Sequence, residues 1–347
     1  MLLLAVLACA VIGGIIGIKL KLPASAMLGS LIAVAVFTVI TDIQATPSWI
    51  KVLAQMVSGG YIGTTMTSDS IGQMKKMAPT AALLLLGMLV INLGTGFILY
   101  LTSPLDLCTS LFATTPGGLT DVTIISDDMG ADSAVVSVFQ VCRMSAAISI
   151  FPLIIPRLLH IKSGGSKVKK AAKKKLSMTK QQYLNFGQTI LVAFCSGLLG
   201  YLSGIPAGTI IFSVIGVSFT KIKYGIGFIP FRCKQAAQML SGAFIGSKIT
   251  MDTVKLIISM WYNAILVLVI FIPACLLLGY ALHKWRKLDL LTALFCSAPA
   301  GASDMALIAS DVGADGPNVA ILQIIRMLGV IAIFPTITKI LVAVTGL

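Results

Sequence analysis

The sequence predicts an all-α polytopic membrane protein made of two inverted repeats of about five transmembrane helices each, with a broken or re-entrant helix motif in each repeat. Three observations carry this expectation. The 347 residues are 57% hydrophobic and 11% charged, with mean hydropathy +0.99; a soluble domain carries about a quarter charged residues. The chain resembles itself at a constant offset of 183 residues. Each copy holds a Pro-Gly break beside a cluster of aspartates, ATTPGGLTDVTIISDDMGADS at 113–133 and CSAPAGASDMALIASDVGADG at 296–316.

The repeat extends well beyond the motif. Gly14, Gly17 and Pro23 match Gly197, Gly200 and Pro206, and QMVSGGYIGTTMTSD at 55–69 matches QMLSGAFIGSKITMD at 238–252. Leu107–Pro152 and Leu290–Pro335 share 20 of 46 positions without a gap. The expected organisation is a first repeat at 1–156, a basic linker at 157–183 and a second repeat at 184–347. Nine of the 26 basic residues fall between Arg157 and Lys180. A cluster beside membrane spans reads as a cytoplasmic retention signal facing anionic lipid, so the net charge of +14 does not point to nucleic acid.

Apolar runs lie at 2–18, 24–40, 49–67, 79–101 and 134–156 in the first half, and at 186–203, 205–220, 235–251, 257–281 and 317–345 in the second. The first run is expected to be a span rather than a secretion signal, because it lacks a basic start. Between the fourth and last runs of each half, the motif's apolar flanks are too short to cross a core of about 30 Å. Either the motif dips in and returns, or it crosses as one broken helix. If it returns, Lys19, Lys21, Lys75, Lys76, the linker, the Lys221–Lys234 group and Lys284–Lys287 fall on one side, with Lys255 the exception. That distribution favours the re-entrant arrangement. Both arrangements give five crossings per half, hence oppositely oriented halves with both termini outside.

All twelve acids are aspartate, and seven lie in the two motifs. Irregular backbone at membrane depth is tolerated only inside protein or beside a wet cavity, so both breaks should face the interior. A helix restarting after each break presents free N–H groups, an anion site. The preceding half-helix ends in carbonyls suited to a cation. The candidate site is therefore Thr115, Gly117, Gly118, Thr120 and Asp121 with Ala300, Gly301, Ser303 and Asp304. Asp121 and Asp304 are the candidates for carrying a proton or ligating Na⁺, with helix capping as the competing role. In D-x-G-A-D the glycine is expected to end one segment and the second aspartate to cap the next helix. Asp127, matched by Ser310, is expected to be solvated. Gln140, Arg143, Gln323 and Arg326 lie well inside the last helix of each half. The arginines should pair with a motif aspartate or hold a substrate carboxylate. The matched glycine-rich segments suit close helix packing or lining of the site.

Other classes find little support. The seven cysteines are scattered singly and read as small hydrophobes. His160 and His283 stand alone among basic residues, so an oxidase centre lacks ligands. No phosphate-binding G-x-x-x-x-G-K-[ST] is present, which argues against a primary pump.

The duplicated P-x-G-x-x-D … D-x-G-A-D … Q-x-x-R-M pattern, with F-P closing the helix, resembles the AbrB-type duplicated membrane protein family. Labels within that family include ammonia monooxygenase and transcriptional regulator; the residues above suit neither. The family looks related to inverted-repeat antiporters and bile-acid-symporter-like transporters. That resemblance implies discontinuous helices moving against a scaffold, often in a homodimer.

The expected function is secondary transport of a small anionic organic solute, coupled to H⁺ or Na⁺, without resident cofactor or catalysis. The alternative is a membrane-embedded ligand sensor that moves nothing. The expected partners are the lipid bilayer and a small solute, and the expected location is a bacterial inner membrane with the linker cytoplasmic.

Overall fold

The computed structural model describes residues 2–20, 25–42, 46–66, 68–158, 180–205, 207–299, 305, 308–310 and 312–345. Among them, every regular element is a helix. The first repeat forms α1 (Leu2–Lys19), α2 (Ser25–Thr41), α3 (Ser48–Gly63), α4 (Ser68–Thr102), α5 (Leu107–Thr114), α6 (Leu119–Asp128) and α7 (Ser133–Leu158). The second forms α8 (Lys180–Leu202), α9 (Gly208–Tyr224), α10 (Phe231–Gly246), α11 (Met251–Ser259), α12 (Trp261–Arg286), α13 (Leu290–Ser297) and α14 (Gly316–Thr345). Adding 183 to the bounds of α2, α3 and α5 gives those of α9, α10 and α13. The linker from 159 to 179 lies outside the described residues, as do Ala300, Gly301, Ser303, Asp304 and Asp311.

Six of these helices are long and apolar enough to cross a membrane: α1, α4 from Lys76, α7, α8, α12 and α14. The shorter α2 is also apolar. The chain is therefore an all-helical, polytopic membrane protein. A helix stands at each of the ten apolar runs, though with shifted bounds. The sequence predicts a run starting at 79, yet α4 starts eleven residues earlier, at Ser68, where the chain is too polar to register as a span. In the second repeat the corresponding segment is a separate helix, α11, with Met260 between it and α12. Thr250 caps α11 by accepting from the Thr253 amide, a short-helix signal that a search for long apolar runs passes over.

The two halves do not fold as separate bodies. α2 packs on α10 of the other repeat, and α3 on α9. With α1 and α8 these form one group. In the second group, α4, α5, α7, α12, α13 and α14 pack together, α5 against α14 and α13 against α7. The first group is glued by glycine. A Cβ on Gly59 would stand 2.6 Å from the Ile210 carbonyl oxygen, and one on Gly246 would stand 2.6 Å from that of Leu31. Helix axes this close gain dispersion contacts that lipid cannot supply.

Gly246→Ala should therefore destabilise the protein by about 1–3 kcal/mol, the usual cost of overpacking. Gly94→Ala, whose added methyl meets open space, should not. Thermal unfolding midpoints of the two variants in detergent check this.

Candidate functional site

The first motif is a hairpin, and the described ends of the second match it. α5 is started by Asp106, whose carboxylate accepts from the Thr109 amide at 2.9 Å. α13 is started likewise by Asp289 and Thr292. Pro116 and Pro299 end these half-helices, because the residue before proline is driven into extended backbone; Thr115 and Ala298 have ψ of 125° and 129°. An in-line broken helix of 18 residues would separate its ends by about 27 Å. Instead, the Thr109 hydroxyl near the start of α5 accepts from the Asp132 amide beyond the end of α6, at 3.0 Å. The Cys108 thiol donates to the Met129 carbonyl. In the second copy, Thr292 and Asp315 make the matching contact, also at 3.0 Å. The chain thus returns to the level at which it entered. Gly130 and Gly313 turn it with φ of +78° and +95°. Asp132 and Asp315 then cap α7 and α14, accepting from the Ala134 and Asn318 amides, the role expected for the second aspartate of D-x-G-A-D.

The carbonyls freed by the break are not bare. Gln140 donates to the Phe112 and Thr115 carbonyls, both at 2.9 Å. Arg143 donates to the Gly117 carbonyl at 3.1 Å and to the Gln140 side chain. The second copy repeats this: Gln323 donates to Phe295 and Ala298, and Arg326 to Ala298. This corrects two expectations. Arg143 forms no ion pair with a motif aspartate among the described residues; it neutralises the negative end of α5. The half-helix carbonyls expected to suit a cation already accept hydrogen bonds. Thr115 turns its hydroxyl back to Leu111 and is also met by Asn92, which donates to the Leu111 carbonyl at 2.8 Å. Asn92 went unread because its counterpart is Cys275, so the repeat gives no signal there. Two nitrogens of Arg143, Nε and Nη1, are buried without a hydrogen-bond partner among the described residues.

Asp121 lies on the first turn of α6, buried, and does not cap it. Its carboxylate accepts from the Ser58 hydroxyl of α3 at 3.0 Å. Gly118 leaves room for that carboxylate, since a Cβ there would stand 3.0 Å from Oδ2. Gly117 packs by Val122, and Thr120 is buried beside Asp121.

Further along α6 the contact with α3 becomes ionic. Lys51 meets Asp127 at 2.8 Å and Asp128 at 2.7 Å. Gln55 donates to Asp128 at 2.6 Å, and Lys248 pairs with Asp127. Asp127, expected to be solvated, is nearly enclosed by two lysines and Ser133. Lys51, Gln55 and Ser58 stand at i, i+4 and i+7, one face of α3, while Gly59 and Gly63 face α9. A cavity of about 950 Å³ opens beside this cluster, lined by Trp49, Lys51, Leu53, Asp128, Tyr201 and Lys339. It does not reach Asp121.

Paired helical hairpins, stitched to the following helix within an all-helical membrane bundle, define a duplicated polytopic membrane protein. The family model described as "Transition state regulatory protein AbrB" matches the chain twice, over residues 1–159 and 153–342. The chain belongs to this duplicated AbrB-type membrane family. It is 24% identical over 301 residues to "Uncharacterized protein YhjN" of Bacillus subtilis (strain 168), covering 83% of this chain and 78% of that protein. It is 22% identical over 323 residues to "Putative regulator AbrB" of Escherichia coli (strain K12), covering 93% and 91%.

Gln140→Leu leaves the Phe112 and Thr115 carbonyls with only the Thr115 and Gly117 amides as donors, at about 0.5–1.5 kcal/mol for each hydrogen bond lost. The expected outcome is a lower unfolding midpoint and faster amide exchange confined to 107–119. Lys51→Met removes the lysine shared by the nearly enclosed Asp127 and the more open Asp128, and should cost about 1–3 kcal/mol. Lys248→Met should cost much less, because its side chain is 44% exposed. Chemical unfolding of both variants gives the comparison.

Proposed function

We propose that the protein is a secondary transporter of a small organic anion, coupled to H⁺ or Na⁺, working by alternating access around the two hairpins. One observation supports this reading above others. Asp121 is a buried carboxyl at a backbone break, on the face where one helix group meets the other; among the described residues its one hydrogen bond comes from a serine hydroxyl, and the Lys234 ammonium of α10 acts on it through space. A structural cap would bond its own helix. A carboxyl that carries a proton or cation needs a partner serving both of its states, and a hydroxyl donates or accepts as required. Because α5 carbonyls already accept from Gln140, proton transfer at Asp121 is the better-supported coupling. Asp304 is its repeat counterpart. The partnerless nitrogens of Arg143 are donors for a carboxylate once the groups part. In this reading the protein is not an enzyme. It sits in a bacterial inner membrane, the linker at 157–183 is cytoplasmic, and both termini are outside as the ends of two inverted halves.

The name of the Escherichia coli relative, a regulator, favours a second reading: a ligand sensor without flux. Uptake of radiolabelled organic acids into proteoliposomes under an imposed proton gradient separates the two. The wild type should accumulate a solute, Asp121→Asn should abolish gradient-driven uptake, and Ser58→Ala should reduce it. Ligand-induced thermal stabilisation without uptake selects the sensor. Wild-type rates in the double Asp121→Asn, Asp304→Asn variant remove these acids from the mechanism.

A further inference from the structure

Lys51 and Gln55 form a carboxylate clamp. Spaced i, i+4 on α3, they hold the two oxygens of Asp128 separately, Lys51 on Oδ1 at 2.7 Å and Gln55 on Oδ2 at 2.6 Å. The Lys51 ammonium also rests on the Phe244 ring of the other repeat, 5.4 Å from its centroid. Adding 183 to each of these positions gives Lys234 and Gln238 on α10, and Phe244 is itself the counterpart of Tyr61. The structure reproduces the arrangement: the Lys234 ammonium lies 4.8 Å from the Tyr61 centroid and 5.8 Å from that of Phe231. Both residues are half-buried. Neither Lys234 nor Gln238 makes a hydrogen bond or ion pair with any described residue, and the one carboxylate that acts on the Lys234 ammonium, Asp121, does so through space without closing on it.

We infer that Lys234 and Gln238, on the aromatic bed of Tyr61 and Phe231, form a binding subsite for the carboxylate of a small organic acid. The chemistry of the filled clamp carries the assignment. An ammonium and an amide N–H₂ one helical turn apart offer only donors toward a carboxylate, and a charge-assisted hydrogen bond is about twice as strong as a neutral one. The rings fix the ammonium by cation–π attraction and give an apolar wall to the acid's carbon skeleton. The subsite deepens the transport reading by naming its substrate class, and it rests on that reading only for what happens after binding.

The test is thermal unfolding of the full chain in detergent, titrated with sodium acetate and sodium succinate against sodium chloride at equal ionic strength. Carboxylate should stabilise saturably where chloride does not. Lys234→Met and Gln238→Leu, two independent routes should one variant fold poorly, should each raise the half-saturating concentration about tenfold or more, the loss of a charge-assisted bond. Lys255→Met, removing a lysine that is 73% exposed, should leave it unchanged. The rival occupant is the chain's own Asp311, counterpart of Asp128. If carboxylate stabilises neither the wild type nor Asp311→Asn, or if Lys234→Met and Gln238→Leu bind as the wild type does, the inference is overturned. Binding without uptake would sink the transporter and leave the clamp standing; uptake with unaltered binding in both variants would do the reverse.

Discussion

A backbone carbonyl without a donor inside a bilayer costs several kcal/mol, and the hairpins at 107–128 and from Leu290 exist only because that cost is removed. The device combines the turn's own amides, Thr115 on Phe112 and Gly117 on Thr115, with the pair Q-x-x-R on the helix that follows. Gln140 reaches across to Phe112 and Thr115, and Arg143 to Gly117. Gln323 and Arg326 repeat the pattern. A guanidinium at the C-terminal end of a half-helix also meets the negative end of its dipole, so a charge that would be forbidden in lipid is matched without a carboxylate. The hairpin is thereby bound to α7. Motion at the break must carry α7 with it, or strand the carbonyls.

The other side of the hairpin faces α3, and α3 is two-sided for a physical reason. Its glycine stripe, Gly59 and Gly63, admits α9 at backbone distance. Its polar stripe, Lys51, Gln55 and Ser58, meets Asp127, Asp128 and Asp121 in turn. Apolar packing of this kind would be hard to separate without exposing surface. A ladder of polar contacts trades partners with water at small net cost, while a buried ion pair that adds little stability still fixes register. The contact between the two helix groups is thus mixed, its polar ladder running beside a buried apolar cluster in which Ile50 and Ala54 of α3 and Phe244 of α10 pack with Leu119 and Ile124 of α6.

Much of this was legible in the residues. The hydropathy fixed the class, and the constant offset required that every element appear twice. The Pro-Gly dipeptides and D-x-G-A-D located breaks, turn and cap. The lysine distribution favours the re-entrant hairpin, yet span length and charge bear only indirectly on where a chain goes after proline; the hydrogen bond from the Asp132 amide to Thr109 is a tertiary fact. For Arg143 the sequence offers an ion pair with a motif aspartate or a hold on a substrate carboxylate, because a carboxylate is the usual companion of a buried guanidinium; the Gly117 carbonyl it meets comes to it only through the folded hairpin. Asp127 was misread because its partners, Lys51 and Lys248, come from two helices far away in the chain. Ser58 was within reach: the matched QMVSGG and QMLSGA segments carry the signal, though one helix serving packing and site together was not considered.

The places where the repeats differ matter as much as those where they agree. Two identical inverted halves would make the inward and outward forms of a transporter equal in free energy, since each form is the other with the halves exchanged. Asp127 is matched by Ser310 and Lys248 by Thr65, so only one half can make that ion pair. Under the proposed transport, this extra pair tips the balance toward the form in which the end of α6 is closed on α3 and α10. Sequence divergence at the rim, rather than at the breaks that both halves share, would then set which side the resting protein faces, leaving the chemistry at Asp121 common to both.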